Sequence, residues 1–443
     1  MPDRSDASPS PSPSPYTLDP TGAGQHAASE RLRAQGAAVP IVLPGEVAAV
    51  AVTRYEELKE FLAHPDVAKN ARHFTALREG AVPEGWPLTT LATVESMTTA
   101  DGDDHRRLRG LVTQVFTPRR IEGLRPRVEE LTAGLLDALG EAALDGAALD
   151  GEALDGAAFG GAAFGGETGA AGVVDLREHF ALPLPMAVIS ELLGVDPDLQ
   201  GRLHELSHAI VSTTTTPEHV LAVNRDMAGV LGTVVARRRA APGDDLTSAL
   251  LAAQAEDGDR LTDGELVGTL LLMVVAGHET TLNLITNAVR ALCTDPEQLA
   301  LVRAGKADWG DVVEETLRYD SPVSFFPFRY PVRDLTVGDT VIPRGTPVLA
   351  SYTSAGRDER AYGPDASRFD VTRRPAVRHL SFGHGPHYCL GAALARLEAT
   401  TALAALFDRY PELALAVPDH DLPRHPSFVG NSTETLPVRL HRS

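Results

Sequence analysis

The segment from Phe382 to Gly391 constrains the fold more than any other part of this sequence. It reads Phe-Gly-His-Gly-Pro-His-Tyr-Cys-Leu-Gly, and Cys389 is one of only 2 cysteines in the chain. Gly385 permits a turn with positive φ, and Gly391 lets the following helix begin close to whatever the cysteine binds. Phe382 is placed to shield the sulfur. Backbone amides of such a loop stabilise a lone thiolate without adding a second ligand, so the segment predicts a cysteine that alone ligates an iron centre.

Three other interpretations of this segment compete with the first. Most free cysteines are small buried hydrophobes, and the cysteine alone favours that interpretation. His379, His384, His387 and Cys389 are dense enough to form a zinc site, although structural zinc sites usually separate their paired ligands by a longer loop. A dinucleotide-binding G-x-G-x-x-G pattern fails because Tyr388 occupies the position of its third glycine. Motifs elsewhere in the chain must therefore decide.

A long apolar segment, Leu266 to Cys293, predicts a helix that crosses the protein interior. Its middle, residues 276–281, reads Ala-Gly-His-Glu-Thr-Thr. An acid and two hydroxyls are costly to bury unless they have a function. The Thr280 hydroxyl is expected to bond to a carbonyl one turn earlier, which loosens the helix locally. A zinc-protease H-E-x-x-H motif is excluded because Leu282 occupies the position of its second histidine, and a purely structural role for Glu279 is the alternative.

A third motif is the pair formed by Glu315 and Arg318, within a segment, Trp309–Tyr319, whose pattern predicts a helix. Side chains three residues apart share one helix face and can form an ion pair. Alone, such a pair is usually a solvated surface contact. Its order in the chain, after the apolar helix and before the cysteine segment, gives it more weight.

These segments, in this order, resemble the signature motifs of the cytochrome P450 superfamily, and of its soluble actinobacterial enzymes in particular, from about Tyr16 to the C-terminus. The resemblance implies a mainly α-helical fold with a smaller β-rich lobe. It also implies haem b between the long helix and the cysteine loop, with Cys389 as the axial ligand of the iron, and a structural triad in which Arg373 joins Glu315 and Arg318. The residues implied to act in oxygen activation and proton delivery are Ala276, Gly277, Glu279 and Thr280; those implied to bind haem are His105, Arg109, Arg329, Phe382, Gly385, His387, Cys389 and Gly391.

The activity that the resemblance implies is a monooxygenase that inserts one oxygen atom of O2 into a hydrophobic small molecule. Such a substrate is a secondary metabolite, a steroid or a cyclic peptide. Because the chain carries no flavin or iron–sulfur signature, electrons are expected from a separate ferredoxin and ferredoxin reductase. The candidates for the docking face are Arg106, Arg107, Arg119, Arg120 and Arg396.

Other activities compatible with these motifs are oxidative aromatic coupling or cyclisation, a peroxide-driven peroxygenase, and a sensor without turnover. A sensor would not need Glu279 and Thr280, and peroxygenases of the superfamily tend to replace them. By the same resemblance, the substrate pocket is expected to be lined by apolar residues: 86–99, 182–216, Met273, Ala276, 323–326 and 428–429. One departure from the common family pattern is the run Gly102-Asp103-Asp104, which stands before His105 where a proline is frequent.

The composition limits the partners and the compartment. A net charge of -20 argues against nucleic acid and anionic membranes as partners. The two cysteines do not form a disulfide framework, which fits a reducing cytoplasm. No apolar run is expected to span a bilayer, because the longest ends at the polar pair His278 and Glu279. Ser-Pro repeats stand where a signal peptide would have its apolar core.

The domain organisation expected from the sequence is a disordered tail over residues 1–15 and one catalytic domain over 16–443. Within that domain, the Gly- and Ala-rich residues 141–172 predict a flexible insertion between two helices. Alternating residues around Pro44 predict a hairpin over Ile41–Thr53, and Thr53 with Glu56 predicts a capping box for the next helix. Residues 86–99 predict a loop, and residues 332–349 a small sheet.

Overall fold

The computed structural model describes residues 15–114, 116–148, 172–256 and 261–440. Helices dominate these ranges. They are α1 (Gln25–Gln35), α2 (Tyr55–Ala63), α3 (Thr75–Arg78), α4 (Thr89–Thr93), α5 (Gly102–Thr113), α6 (Pro118–Gly123), α7 (Arg125–Ala148), α8 (Pro183–Leu193), α9 (Pro197–Val211), α10 (Pro217–Ala240), α11 (Leu246–Glu256), α12 (Asp263–Thr294), α13 (Pro296–Arg303), α14 (Trp309–Tyr319), α15 (Tyr352–Gly356), α16 (Glu359–Tyr362) and α17 (Ala392–Arg409).

The strands form a smaller β-rich part. They are β1 (Tyr16–Thr17), β2 (Ala38–Leu43), β3 (Val47–Val52), β4 (Val67–Ala68), β5 (Val173–Asp175), β6 (Phe325–Pro331), β7 (Leu335–Val337), β8 (Thr340–Ile342), β9 (Val348–Ser351), β10 (Ala414–Leu415) and β11 (Pro437–Arg439). They pair into a 6-stranded sheet of order β1-β2-β3-β9-β6-β4, a 3-stranded sheet of order β10-β11-β5, and the hairpin β7-β8. This mainly helical architecture confirms the fold class expected from the sequence.

The predicted N-terminal hairpin is present, but its predicted helix cap is wrong. β2 and β3 pair antiparallel, with Leu43 opposite Val47, around a turn in which Gly45 has a φ of 74°. The Thr53 hydroxyl does not cap α2: it donates to the carbonyl of Gly36 at 2.6 Å, and Arg54 is the N-cap residue. Strand β3 ends directly before Thr53. The Thr53 hydroxyl therefore lies against the end of α1 and bonds there before α2 begins.

The long helix α12 forms the centre of the largest hydrophobic core. It begins with a capping box, in which Thr262 accepts from the backbone of Glu265 and the Glu265 side chain accepts from the backbone of Thr262. It packs against α8, α9, α14 and α17. The observed range extends the predicted helix by a few residues at its N-terminal end and by one at its C-terminal end. Such a helix is covered on most sides, which explains its nearly continuous apolar sequence.

By length and composition α12 is able to cross a membrane, which corrects the expectation that no segment was long enough. However, 72% of its most apolar window is buried inside the protein. Core helices of soluble proteins pass the same test, so the length of α12 carries no indication of a membrane span.

Two sequence predictions concern residues that the structure describes only in part. The tail, 1–15, lies outside the described residues except for its last residue. The predicted insertion, 141–172, begins inside a helix, because α7 continues to Ala148. Residues 149–171 lie outside the described ranges. The shift of the boundary has a simple cause: Ala and Leu in residues 141–148 are good helix formers and extend α7.

Candidate active site

The cysteine segment folds as a tight loop before α17. The backbone N–H of Cys389 donates to the carbonyl of Phe382 at 2.9 Å, which closes the loop. Gly385 has a φ of 75°, and a side chain there would lie 3.0 Å from the Cα of Ala63 on α2. Gly391 is the N-cap residue of α17, so the sulfur lies next to the first turn of that helix. Gly385 therefore occupies a place where a larger residue would displace the loop.

The Cys389 thiol is accessible although protein atoms surround it. The residue is exposed, yet burial raises the pKa of its thiol. The backbone N–H groups of Gly391 and Ala392 and the charges of Arg109 and Arg396 act in the opposite direction and favour the thiolate. The side chain is thus accessible to a ligand and yet poorly solvated. The loop thus presents the sulfur to a ligand and supplies the hydrogen bonds that a thiolate needs.

Cationic and titratable side chains gather beside this loop. Lys69 and Arg329 are buried, and each helps lower the pKa of His387 to about 2, with desolvation as the larger cause. The rings of His387 and His105 lie 4.2 Å apart. Arg109 donates to the carbonyl of Tyr388 at 2.7 Å, which ties α5 to the cysteine loop. We call Lys69, His105, Arg109, Arg329 and His387 the cation cluster.

The cation cluster has no anionic partner of its own in the described part of the chain. Burial lowers the pKa of Lys69 well below its usual range, and that of Arg329 as well. Nη1 of Arg329 and Nε2 of His105 are buried without a hydrogen-bond partner. The nearest acid, Asp101, accepts instead from the backbone of Lys69 and Asn70 at 2.8 and 3.0 Å. Buried cations without partners are costly, so the cluster fits a bound group that carries carboxylates, as haem does.

Sequence reasoning missed Lys69 in this cluster. A signal was present, because lysine occurs only at Lys59, Lys69 and Lys306 in a chain that otherwise uses arginine. Its ammonium lies over the ring of Phe326, 5.0 Å from the centroid, and 3.5 Å from the carbonyl of Pro327. Neither contact follows from sequence order, since β4 and β6 are far apart in the chain and meet only in the sheet.

The middle of α12 has the local features that the sequence predicts. The Thr280 hydroxyl donates to the carbonyl of Ala276 at 2.8 Å. Ala276 is exposed although Val275 before it is buried, so this face of the helix borders open space. A side chain at Gly277 would lie 2.7 Å from Ile189 of α8. Gly277 therefore allows α8 to pack closely against α12, whereas the exposed Ala276 borders open space next to a hydroxyl held in place by the backbone.

Glu279 is buried among histidines that sequence reasoning did not identify. His278, His204 and His208 each place a ring nitrogen 3.4 to 3.8 Å from its Oε1. Burial raises the pKa of Glu279, but His278, His208 and Arg177 outweigh it and hold that pKa well below its usual range. The carboxylate is thus kept ionised in the interior. His204 and His208 come from α9, one turn apart, a spacing that indicates a shared face only once the neighbouring helix is known.

The predicted triad forms a complete network. Arg318 donates to both oxygens of Glu315 at 2.7 Å, and Arg373 donates to Oε1 of Glu315 at 3.3 Å. The remaining N–H groups of Arg318 donate to the carbonyls of Gly356, Ala366 and Arg368. All these donors have acceptors, and the network joins α14 to the chain that leads into the cysteine loop.

The alternative zinc set in the cysteine segment is not assembled. His379 pairs with Glu314 at 3.3 Å, and His387 faces His105. Among the described residues, the only group with metal-ligand spacing is His204, His278 and Glu279. Those residues belong to α9 and α12, so the cysteine segment is left with a single metal-binding side chain, Cys389.

The expected substrate lining requires one correction. Trp86 is 2% exposed and stacks on Phe328, with ring centroids 5.5 Å apart. Its indole N–H donates to the carbonyl of Pro44 at 2.8 Å. Trp86 therefore belongs to the core beneath the large sheet rather than to a pocket wall. The predicted loop also contains α4, because Thr89–Thr93 can bury Ala92 against that core.

Comparison with known proteins agrees with this geometry. Residues 228–304 and 310–430 match the family model described as Cytochrome P450. The chain is 37% identical, over 96% of its length and 97% of the relative's, to 2-hydroxy-5-methyl-1-naphthoate 7-hydroxylase from Streptomyces carzinostaticus.

Solved structures match over almost the whole chain. CYP154C4 from Streptomyces sp. W2061 superposes with a TM-score of 0.87 at 45% identity, covering 97% of this chain and 98% of that one. A second CYP154C4, from Streptomyces sp. ATCC 11861 and described as "Testerone bound", gives a TM-score of 0.87 at 44% identity, covering 97% and 99%.

Proposed function

Because the chain belongs to the cytochrome P450 superfamily and is a haem-thiolate monooxygenase, we propose that Cys389 ligates the iron of its haem. The observation that carries this assignment is the cation cluster, whose buried charges lie without anionic partners beside the one accessible thiol. When bound, haem supplies the reductive activation of dioxygen. The amides of Gly391 and Ala392 and the ring of Phe382 hold the thiolate in its loop.

Lys69, His105, Arg109, Arg329 and His387 hold the two carboxylates of the haem. The charges of Lys69 and Arg329 are already desolvated, and the neutral rings of His105 and His387 supply N–H donors, so a bound dianionic group would satisfy them. Lys69 and Arg329 are the deeper members and contribute most, because a charge pair out of water is screened least.

On helix α12, Glu279 and Thr280 deliver protons. The Glu279 carboxylate is kept ionised by its histidine neighbours, so it accepts a proton from solvent by way of His204 or His208, whose side chains are partly exposed. It then passes the proton to the Thr280 hydroxyl, which the carbonyl of Ala276 holds in one orientation. The small side chain of Ala276 keeps the adjoining space open.

The absorption spectrum of the reduced protein under carbon monoxide tests the ligand assignment. The parent is expected to show the strongly red-shifted Soret band of a thiolate-ligated haem, and Cys389→Ser is expected to lose it. Cys293→Ser is the matched control, since burial raises the pKa of Cys293 to about 12 and its thiol only faces the carbonyl of Leu413. A red-shifted band that persists in Cys389→Ser contradicts the assignment.

The coupling of oxygen consumption to product tests the role of Thr280. Thr280→Ala is expected to consume oxygen with little product, because the proton donor next to the open space is lost. Thr286→Ala is the control. The Thr286 hydroxyl also donates to the carbonyl four residues earlier, that of Leu282, at 2.8 Å, but Thr286 is buried. Equal coupling in both variants contradicts the role of Thr280, absence of turnover in the parent favours a sensor, and full activity with peroxide alone favours a peroxygenase.

The substrate that we propose is a fused-ring hydrophobic molecule of steroid size. Support comes from the "Testerone bound" relative, which is similar over 97% of this chain, and from the apolar residues predicted to line the pocket. Titration with testosterone is expected to shift the haem spin state at micromolar concentration. A response to naphthoates but not to steroids contradicts the steroid proposal while leaving the monooxygenase intact.

A ferredoxin and its reductase are the proposed electron donors, and the cytoplasm is the proposed location. The predicted docking face is less positive than its sequence suggests, since most of its arginines are already paired: Arg106 with Asp103, Arg107 with Glu265, Arg120 with Asp244 and Arg396 with Glu314. Arg119 is exposed and is the first choice for substitution. If Arg119→Ala leaves the ferredoxin-supported rate and its salt dependence unchanged, this face is not the docking site.

A further inference from the structure

The side chains around Glu279 form more than a set of charge partners. Nδ1 of His204 lies 3.3 Å from Nε2 of His278, and Nε2 of His278 lies 3.4 Å from Oε1 of Glu279. Nδ1 of His204 lies 3.8 Å from the same oxygen. Zn–N bonds of about 2.0–2.1 Å place the ligand atoms of a tetrahedral site about 3.3 Å apart. The three atoms thus stand close to the corners of one face of a zinc tetrahedron.

The hydrogen bond behind the His278 ring also supports a metal site. Its Nδ1 lies 2.7 Å from the carbonyl of Val274, and a carbonyl can only accept, so Nδ1 carries a hydrogen. Nε2 is then the ring nitrogen that faces His204 and Glu279 and is available to a metal ion. Metal-bound histidines are commonly held in this way by a backbone carbonyl behind the ring. Nε2 of His278 and Nδ1 of His204 are therefore placed to bind one cation together with the carboxylate of Glu279.

Glu279 supplies an independent sign that a ligand is missing from this group. The residue is 3% exposed, and neither carboxylate oxygen has a hydrogen-bond partner. Nδ1 of His208 also lies 3.8 Å from Oε1 of Glu279, but among the described residues only His204, His278 and Glu279 bring their ligand atoms within 4.8 Å of one another. The side chains of His204 and His208 are 26% and 35% exposed, which leaves a route from solvent. Arg177 is the opposing charge, but its guanidinium donates to Asn283 and Ser432.

We propose that His204, His278 and Glu279 form a binding site for one zinc ion, with water as the fourth ligand. Imidazole and carboxylate ligands suit this ion. The site shares Glu279 with the proton delivery described above, and the following consequence rests on that proposed function. An ion bound to Glu279 withdraws its carboxylate from proton transfer, so zinc is an inhibitor of the coupled reaction that acts without displacing substrate.

Calorimetric titration of the haem-loaded, chelator-treated protein with Zn2+ tests the site. One ion per chain is expected to bind, and His204→Ala is expected to weaken binding by about 10- to 100-fold. His219→Ala is the control for surface histidines, because His219 is exposed on α10. Absence of stoichiometric binding, or equal affinity in His204→Ala and the parent, overturns the proposal and leaves a shared proton as the cation of this cluster.

X-ray absorption at the zinc edge keeps the test valid if His204→Ala does not fold. Nitrogen and oxygen neighbours at about 2.0–2.1 Å, with imidazole scattering, are expected. A sulfur neighbour at about 2.3 Å would place the ion on a cysteine and overturn the proposal. Binding without any slowing of product formation supports the zinc site but contradicts the role of Glu279 in proton delivery, so the two proposals fail separately.

Discussion

Two buried charge clusters flank the cysteine loop, and they differ in whether their charges have partners. In the triad, every N–H group of Arg318 has an acceptor, and Glu315 accepts from both Arg318 and Arg373. In the cation cluster, Lys69 and Arg329 are equally deep in the protein, but Arg329 keeps a buried Nη1 without a partner. The triad is complete within the chain, whereas the cation cluster is completed only by a ligand.

The difference teaches how to separate structural from functional charges. A complete buried network stabilises the fold, because removing one member strands the others. An incomplete network opposes the fold until its ligand binds, because each unpaired charge is poorly solvated. Removal of a charge is therefore expected to have opposite effects in the two clusters.

The largest effect is expected when the triad is broken. Glu315→Ala leaves Arg318 and Arg373 buried without their anion, which is expected to lower the free energy of unfolding by about 3–5 kcal/mol. Urea unfolding followed by circular dichroism measures the change. If the loss is below about 1 kcal/mol, the triad is a solvated pair and the comparison between the clusters fails.

A somewhat smaller effect is expected from an isolated buried acid. Burial raises the pKa of Glu398 on α17 from 4.5 to about 8, and its Oε2 has no partner. The stability that this group contributes is fully present below pH 4.5 and is lost as the pH rises through about 8. Glu398→Gln does not titrate, so it is expected to be more stable than the parent at pH 8, on the order of 3 kcal/mol.

Unfolding curves at pH 5 and pH 8 check this expectation. The parent is expected to lose stability between the two values, whereas Glu398→Gln changes less. Equal pH dependence in both proteins would show that Glu398 has a partner, and it would then belong with the complete networks.

Removal of a charge from the cation cluster is expected to affect the stability of the haem-free protein and its affinity for haem in different ways. Arg329→Met is expected to leave the haem-free protein as stable as the parent or more stable, since an unpaired buried charge is removed. The same change is expected to weaken haem binding about tenfold, which corresponds to about 1.4 kcal/mol for one lost charged hydrogen bond. Haem transfer to an acceptor protein measures the affinity.

Lys69→Met is the second variant for this test and is expected to change both states in the same directions. If Arg329→Met destabilises the haem-free protein as strongly as Glu315→Ala does, the cation cluster has partners within the chain. Its distinction from the triad then disappears.

The smallest effect is expected at the surface. Arg409 and Asp137 form an ion pair at 3.1 Å, with side chains 60% and 68% exposed. Asp137→Ala is expected to change the free energy of unfolding by less than about 1 kcal/mol, because water screens such a pair. The urea measurement used for Glu315→Ala gives the comparison, and a larger loss would show that burial is not what separates the triad from ordinary pairs.

Local chemistry made some parts of this protein predictable. The α12 segment, the α14 segment and the hairpin of β2 and β3 follow from residue spacing and turn residues, which act over a few positions. The capping box predicted at Thr53 is wrong because the hydroxyl of Thr53 donates to the carbonyl of Gly36, the C-cap residue of α1. The prediction that Trp86 lines the substrate pocket is wrong because aromatic side chains from distant segments pack against it.

The sequence by itself determined the family and the cysteine that can ligate iron, because both rest on residue types at fixed local spacing, and the resemblance to that family implied the mainly helical fold. Only the tertiary structure decided which charges have partners. It brought Lys69 to Arg329, and it set His204 of α9 against Glu279 of α12. The physical reason is that pairing and desolvation depend on distances between segments far apart in the chain, and local spacing carries no information about those distances.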